Sequence, residues 1–323
     1  MASAKLVFGA GLFNSKWQAF PDLESVKAVL QLCKKEGVKE IDTAKVYGES
    51  EEMLGAIDAG KDFIISTKVP GGFEEGSATK ENIIKDIKSS LQRLKMDKVD
   101  ILYIHGPDST IPLAETLSGI NEMYKAGCFT RFGLSNYLAD EVEAVYEYCK
   151  AHGYVLPSVF QGNYSAVARK LETVLFPTLR RLGISFYAYS VLAGGFLTKA
   201  KEQIVGGEGR FNDQALGGLY SNMYAKQSYF EALEEWNKIA EDEGCSKAAL
   251  AYRWAAFNSA LKNEYGDAVI VGASSLKQAD QTLQALKAGP LSEDACRRID
   301  AMWKTIEHDA PLDNFHAIKA GSQ

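Results

Sequence analysis

The stretch DFIISTKV, residues 62–69, is a short apolar run that ends in a lysine and a valine. A longer segment follows at 80–95, in which apolar residues recur three and four positions apart, as on one face of a helix. A second apolar run, VDILYIHG at 99–106, comes next. Continuous apolar strands that alternate with helices are typical of parallel strands covered by helices on the outside. This part of the chain therefore predicts a strand–helix–strand unit.

The same alternation extends along the whole chain. Further helical patterns lie at 23–35, 141–150 and 229–242, and the strand-like runs lie at 5–11, 38–44, 62–69, 99–106, 129–136, 158–163, 184–190 and 268–274. Eight repeats in 323 residues predict an α/β fold of the (β/α)8, or TIM barrel, type, with one domain spanning 1–323. A doubly wound open sheet is the alternative. That fold would favour a GxGxxG turn after the first strand, which FGAGLFNS at 8–15 does not supply.

Two segments depart from simple alternation. Residues 193–222 contain seven glycines, at 194, 195, 206, 207, 209, 217 and 218, and predict a long, flexible βα loop. Near the end of the chain a helical pattern at 293–308 precedes the tail DAPLDNFHAIKAGSQ, which we expect to lie across the surface.

Composition excludes several classes of function. The 36 basic and 42 acidic residues leave a net charge of −6, which argues against nucleic acid or an anionic membrane as the main partner. The five cysteines form no CxxC pair, so neither a disulfide framework nor a thiolate zinc site is expected. The N-terminal residues lack a signal-peptide pattern, and no apolar stretch reaches the roughly 18 residues of a membrane helix. We predict a cytoplasmic protein.

Four polar side chains follow three neighbouring strand-like runs. Asp42, Lys68 and His105 end the second, third and fourth runs, and Tyr47 follows Asp42 in the same loop. In a (β/α)8 barrel these strand ends meet at the face where chemistry occurs. Each residue alone could be structural, as a helix cap, a packed aromatic, a solvated charge or a buried histidine. Because Lys and Asp are almost never buried unless paired, we expect Lys68 and Asp42 to pair.

This set of side chains suits the reduction of a carbonyl group. A tyrosine has a pKa of about 10, and a neighbouring ammonium lowers that pKa. We expect Lys68 to act in this way on Tyr47, so that Tyr47 protonates the carbonyl oxygen as hydride reaches the carbon. His105 would donate a hydrogen bond to the same oxygen and polarise it.

Several motifs, in the same order, resemble those of the aldo-keto reductase superfamily. They are IDTAKVYGESE (41–51), STKV (66–69), LYIHGPD (102–108), FGLSNY (132–137) and FYAYSVLAGG (186–195). ETVLFPTLRRLGISFYAYSVLAGGFLT (172–198), GRF (209–211) and VGASSLKQADQTL (271–283) resemble the aflatoxin-aldehyde and succinic-semialdehyde reductase branch. The similarity covers nearly the whole chain.

The resemblance implies a fold, a cofactor and site residues. The fold is the (β/α)8 barrel, the cofactor is NADPH or NADP+, and the catalytic residues are Asp42, Tyr47, Lys68 and His105. The implied cofactor-binding residues are Ser135, Asn136 and Gln161 for the nicotinamide carboxamide, Tyr189 for the nicotinamide ring, Ser190, Leu192 and Gly194 for the pyrophosphate, and Arg210, Ala273, Ser274, Ser275, Gln278 and Gln281 for the 2′-phosphate of adenosine.

Some of these positions have a second interpretation. Ser274 and Ser275 would suit a phosphate at a helix N-terminus, but serine is also favoured as a simple N-cap. Ser135 and Asn136 could likewise be a helix cap, and Tyr189 could pack in the barrel. Residues 273–281 contain one basic residue, Lys277. Recognition of the 2′-phosphate, and hence a preference for NADPH, would therefore depend on Arg210 and on the serines.

The sequence therefore predicts NADPH-dependent reduction of aldehydes, and of some ketones, with a small carbonyl compound as substrate and a homodimer as a possible assembly. A cofactor-binding regulatory subunit of the same fold, with little turnover, is the alternative. A metal-dependent barrel hydrolase is a third hypothesis. Of the four histidines only His105 ends a strand, which leaves too few ligands for a metal.

Overall fold

Eight parallel strands form a closed barrel in the computed structural model, which describes residues 4–212, 214 and 216–321. The strands follow one another around the barrel in chain order, and the first pairs with the last. They are Lys5–Gly9 (β1), Glu40–Asp42 (β2), Ile64–Val69 (β3), Val99–Ile104 (β4), Phe129–Ser135 (β5), Pro157–Asn163 (β6), Ser185–Tyr189 (β7) and Ala268–Val271 (β8). The predicted (β/α)8 barrel is confirmed, and the open sheet was the wrong alternative because the first strand pairs with the last, so the sheet has no edge strand.

Helices surround the barrel. Those of the described residues are Leu23–Lys35 (α1), Ser50–Ala56 (α2), Lys80–Leu94 (α3), Leu113–Lys125 (α4), Ala139–His152 (α5), Leu171–Val174 (α6), Phe176–Leu182 (α7), Lys201–Val205 (α8), Leu219–Tyr224 (α9), Gln227–Asp242 (α10), Lys247–Arg253 (α11), Leu276–Leu286 (α12), Glu293–Ile306 (α13) and Asn314–Gly321 (α14). The helical patterns at 23–35, 80–95, 141–150 and 229–242 are confirmed as α1, α3, α5 and α10. None of the helices in the described part of the chain is long and apolar enough to cross a membrane.

Inward-facing side chains fill the barrel and close its N-terminal end. Alternate residues of the strands form the inner cluster of Val7, Ile101, Tyr103, Val159, Tyr187, Ala268 and Ile270. At the start of the strands, Lys5 lies 2.8 Å from the Glu40 carboxylate and also donates to the Tyr187 hydroxyl. Arg131 pairs with Asp100 beside the same tyrosine. This end of the barrel is sealed by ion pairs, which leaves the opposite end for a ligand.

The glycine-rich segment 193–222 is the predicted long loop after β7, and its described residues are folded against the barrel. It contains a 3-10 turn at Ala193–Thr198 as well as α8 and the start of α9. Phe196, Phe211 and Tyr220 are buried, and the Trp236 indole N–H donates to the Leu197 carbonyl at 3.0 Å. Glycines let the chain turn sharply, and the apolar side chains between them supply buried surface that holds the segment in place.

The described part of the C-terminal tail lies on the surface, as expected, and forms α14, which covers part of the open end of the barrel. Phe315 of α14 is 3% exposed, and its ring centre lies 5.0 Å from that of Phe73 in the loop after β3. A Cβ at Gly106 would come within 2.9 Å of the Phe315 ring. The tail is therefore pressed onto the backbone that follows β4.

Candidate active site

Lys68 and Asp42 form a buried ion pair at the open end of the barrel. The Lys68 ammonium lies 2.6 Å from Asp42 Oδ2 and 2.7 Å from the Thr43 carbonyl oxygen, and the lysine has no exposed surface. The predicted pairing is confirmed. Burial opposes the charge of Lys68, but the Asp42 carboxylate and then Tyr47 outweigh it, so the pKa of Lys68 is raised. The site therefore holds a fixed positive charge.

Two tyrosine rings flank this ammonium. Lys68 Nζ lies 5.0 Å from the centre of the Tyr47 ring and 5.6 Å from that of Tyr103. Burial raises the pKa of Tyr47, while Lys68 lowers it and Asp42 raises it again; the net pKa is above the ordinary value. Lys68 thus acts in the predicted direction, but the expectation of a lowered pKa was wrong because removal from water has the larger effect. Tyr47 is consequently a neutral phenol with a proton to donate.

His105 lies beside Tyr47 with a neutral imidazole. The two ring centres are 5.6 Å apart in an edge-to-face arrangement, and His105 is 8% exposed. Burial, and then the charge of Lys68, lower the pKa of His105 well below its usual range. Its buried Nδ1 has no hydrogen-bond partner among the described residues, so none of them would accept a hydrogen bond from a protonated Nδ1. Nε2 can then carry the proton and donate it in a hydrogen bond.

Polar residues at the ends of β5, β6 and β7 connect to the Asp42 carboxylate and to the backbone of His105. Gln161 Nε2 donates to Asp42 Oδ1 at 2.9 Å. Asn136 Nδ2 donates to the His105 carbonyl at 2.8 Å and, at 3.2 Å, to Ser135 Oγ, while its own Oδ1 accepts from the Tyr189 hydroxyl at 2.8 Å. The helix-cap interpretation of Ser135 and Asn136 was wrong, because α5 begins after Leu138.

The chain after β7 turns sharply at two of the three positions implied for the pyrophosphate, Ser190 and Gly194. Ser190 has a φ of 57°, which is uncommon for a residue other than glycine and costs of order 1–3 kcal/mol. Leu192 follows half-buried, and Gly194 has a φ of 69°. A Cβ at Gly194 would lie 2.1 Å from a ring atom of Tyr220. Only glycine fits there, and the Tyr220 ring covers it.

Arg210 connects this segment with the loop after β8. Its Nη1 donates to the Tyr220 hydroxyl at 3.3 Å. Burial raises the pKa of Tyr252 to about 12, and the charge of Arg210 acts in the opposite direction, which places the arginine within electrostatic range of Tyr252. The Tyr252 hydroxyl in turn bonds both the N–H and the carbonyl of Gly272, at 3.0 Å each. Arg210 therefore lies near the chain that leads into residue 273.

The segment from 273 to 281 comprises the residues that lead into α12 and the first turns of that helix. Ala273 is buried, whereas Ser274, Gln278 and Gln281 are exposed. Ser275 caps the helix by accepting from the Gln278 N–H at 3.2 Å, so the N-cap interpretation holds for this serine. Ser274 Oγ donates to Gln278 Oε1 at 2.6 Å. An exposed helix N-terminus with two serines, together with Arg210, fits a phosphate group.

Four residues next to the site had not been predicted from the sequence. Tyr103 precedes His105 by two positions on one strand, so period-two alternation was a signal that both face the barrel interior. Phe73 lies 4.6 Å from His105, ring centre to ring centre, and Phe315 packs on Phe73. No local pattern in the sequence points to these contacts or to that of Tyr220. Within the described residues, no group of three or more His, Cys, Asp or Glu could hold a metal ion.

Comparison with known proteins identifies a family and several relatives of this chain. The model of the "Aldo/keto reductase family" matches residues 5–304. "Oxidoreductase sirO" of Leptosphaeria maculans is 37% identical over 95% of each chain. "Aflatoxin B1 aldehyde reductase member 2" of Rattus norvegicus is 35% identical over 94% of this chain and 86% of its own. "Aldo-keto reductase family 7 member A3" of Homo sapiens is 37% identical over 90% and 92%.

These matches confirm the resemblance on which the site residues were assigned. The chain belongs to the aldo/keto reductase family, and it is an oxidoreductase.

Proposed function

We propose that this protein reduces aldehydes, and some ketones, to alcohols with NADPH as the hydride donor and Tyr47 as the general acid. The observation that carries this proposal is the neutral Tyr47 phenol next to the buried Lys68 ammonium and the neutral His105 imidazole. The names of the relatives, several of which are aldehyde reductases, point to the same substrate class.

The residues at the open end of the barrel would hold the cofactor. Ser135, Asn136 and Gln161 would bind the nicotinamide carboxamide, and the Tyr189 ring would lie against the nicotinamide. Ser190, Leu192 and Gly194 would follow the pyrophosphate, and the 2′-phosphate would be held by Arg210 together with the start of α12, namely Ala273, Ser274, Ser275, Gln278 and Gln281. The reduced cofactor, when bound, supplies the hydride.

Tyr47 and Lys68 would move the proton. Tyr47 gives its phenolic proton to the carbonyl oxygen, which becomes the alcohol hydroxyl, and a phenolate remains on the enzyme. The Lys68 ammonium, 5.0 Å from the ring centre, stabilises that negative charge. Asp42 keeps Lys68 charged, because burial alone would favour the neutral amine.

His105 would orient and polarise the substrate. A neutral imidazole can donate one hydrogen bond, and its position beside Tyr47 lets both donors converge on one oxygen. Phe73 also contacts the imidazole, and Phe315 packs on Phe73, so this wall of the pocket is apolar. Exclusion of water on that side strengthens the hydrogen bond to the substrate.

A panel of aldehydes and ketones, followed by the loss of NADPH absorbance with NADH run in parallel, tests the proposal. We expect turnover with aldehydes and a preference for NADPH. The regulatory alternative predicts tight NADPH binding with no turnover on any member of the panel. The presence of all four residues of the proposed catalytic set favours the enzyme.

A further inference from the structure

Gln161 contacts the ion pair that lies behind Tyr47. It stands on β6, on the far side of the barrel from β2, and is 2% exposed. Its Nε2 lies 2.9 Å from Asp42 Oδ1, while Lys68 lies 2.6 Å from Asp42 Oδ2. Each oxygen of the buried carboxylate therefore has its own donor.

This contact fixes the direction of the glutamine amide. An ionised carboxylate only accepts hydrogen bonds, so the NH2 group of Gln161 must face Asp42. The carbonyl oxygen of the same amide is then directed elsewhere and remains available as an acceptor. A primary carboxamide, such as that of nicotinamide, offers an N–H that this oxygen can accept.

We propose that Gln161 is a positioning residue that couples the nicotinamide site to the proton-transfer chain. Its NH2 group holds Asp42 in place against Lys68, and its carbonyl oxygen accepts an N–H of the nicotinamide carboxamide. One side chain thereby orients both the hydride donor and Asp42, the carboxylate that keeps Lys68 protonated. This inference rests on the proposed function for the role of the cofactor, whereas the contact with Asp42 does not.

Within the described residues, the amide of Gln161 is the donor that contacts Asp42 Oδ1. Burial raises the pKa of Tyr103 well above its ordinary value, and the nearby Gln161 amide acts in the opposite direction. The Tyr103 hydroxyl has no hydrogen-bond partner within the described residues. Without the amide, Asp42 Oδ1 would be a buried acceptor lacking a donor, which is costly and pulls the carboxylate away from Lys68. The ionisable groups that face position 161 are Asp42, Lys68, Tyr103 and, from β7, Tyr187.

The first test changes the donor without changing its size. Gln161→Glu places a carboxyl group against Asp42: when ionised it repels Asp42, and when protonated it can donate a hydrogen bond as the amide does. We expect the kcat of Gln161→Glu, divided by that of the wild type, to rise as the pH falls, by up to about tenfold per pH unit. Gln161→Met has a side chain that can neither donate a hydrogen bond nor ionise. Its kcat relative to the wild type should therefore stay low at every pH.

Ser135→Ala serves as the matched control. Ser135 is another proposed carboxamide contact, on the neighbouring strand, and it does not touch Asp42. Ser135→Ala should weaken cofactor binding. Its kcat, divided by that of the wild type, should not rise as the pH falls. A ratio for Gln161→Glu that is independent of pH would overturn the coupling and leave Gln161 as a binding residue only.

The second test needs neither cofactor nor activity. Nitrogen-15 NMR of the lysine side chains, with Lys68 assigned by comparison with Lys68→Met, gives the pH at which Lys68 loses its proton. In the cofactor-free protein we expect Gln161→Met to lower that pH by about one unit and Ser135→Ala to leave it unchanged. An unchanged Lys68 titration in a folded Gln161→Met protein would refute the inference, even if the wild type reduced no aldehyde. If Gln161→Met fails to fold, the same titration of Gln161→Asn is judged by the same criterion, because its amide is one methylene shorter and cannot keep the 2.9 Å contact with Asp42.

Discussion

The Lys68 ammonium lies 5.0 Å from the centre of the Tyr47 ring, inside the barrel and without exposed surface. A positive charge at this distance favours the phenolate that remains after proton donation, whereas burial keeps the resting phenol protonated. Before the reaction, burial and the charge of Lys68 act in opposite directions on the pKa of Tyr47. After the proton has left, the charge of Lys68 stabilises the phenolate.

Tyr47→Phe should lower kcat for aldehyde reduction by about 10²-fold or more, because the ring stays and only the proton donor is lost. Binding of NADPH, measured by fluorescence quenching, should persist. Tyr124→Phe, which removes the hydroxyl of a 40% exposed tyrosine, is the matched control and should have wild-type kcat. Retention of most activity in Tyr47→Phe would show that another group supplies the proton.

Lys68→Met and Asp42→Asn should each lower kcat. Because both residues act on the same proton, the loss in ln kcat of the double variant should be much smaller than the sum of the two single losses. Each single variant should also lose stability, by about 3–5 kcal/mol, because it leaves a buried charge without its partner. Urea unfolding gives the stability, and kinetics below the unfolding transition give kcat. Additive losses in ln kcat would contradict a shared role.

The neutral state of His105 predicts how stability depends on pH. Its pKa in the folded protein lies well below the value of about 6.5 expected when unfolded, so below pH 6.5 the unfolded chain takes up a proton that the folded protein excludes. This group therefore lowers the free energy of unfolding as the pH falls, by up to about 1.4 kcal/mol per pH unit. Above pH 6.5 it has no effect, because the imidazole is neutral in both states.

His105→Gln should remove that dependence. Urea unfolding between pH 7 and pH 5 should show a steeper loss of stability in the wild type than in His105→Gln. His152→Gln, at an exposed histidine on α5, is the control and should keep the wild-type slope. Equal slopes for His105→Gln and the wild type would mean that the imidazole is charged when folded.

Arg210→Ala should weaken NADPH binding by about 1.5–3 kcal/mol, the scale of a charge-assisted hydrogen bond, and leave NADH nearly unchanged. The reason is that only NADPH carries the 2′-phosphate. Fluorescence titration with both cofactors gives the comparison. Lys199→Ala removes another cation of the same segment and is the control. Equal losses for NADPH and NADH would show that Arg210 does not recognise the phosphate.

Much of the fold could be predicted from the sequence because its signals are local. The alternation of apolar runs with amphipathic helices depends on neighbouring residues only, and it predicted all eight strands. The positions of Asp42, Lys68 and His105 at strand ends followed from the same pattern, since parallel strands in a barrel all end at one face. Their pairing followed from the cost of burying a charge alone.

Other features depend on which surfaces meet when the barrel closes. The contact between Gln161 and Asp42 joins residues 119 positions apart, and nothing in the sequence around either one indicates it. The burial of Phe196, Phe211 and Tyr220 in the glycine-rich segment depends likewise on apolar side chains that meet only in the folded protein. The same is true of the packing of Phe315 against Phe73.

The sequence by itself determined the barrel and the set of polar side chains at its open end, because periodicity and residue type are properties of short segments. Only the tertiary structure decided the sign of the shift at Tyr47. Lys68 lowers the pKa of that phenol, as residue types alone suggest, but the extent of burial is set by every element that packs around the site, and here it has the larger effect.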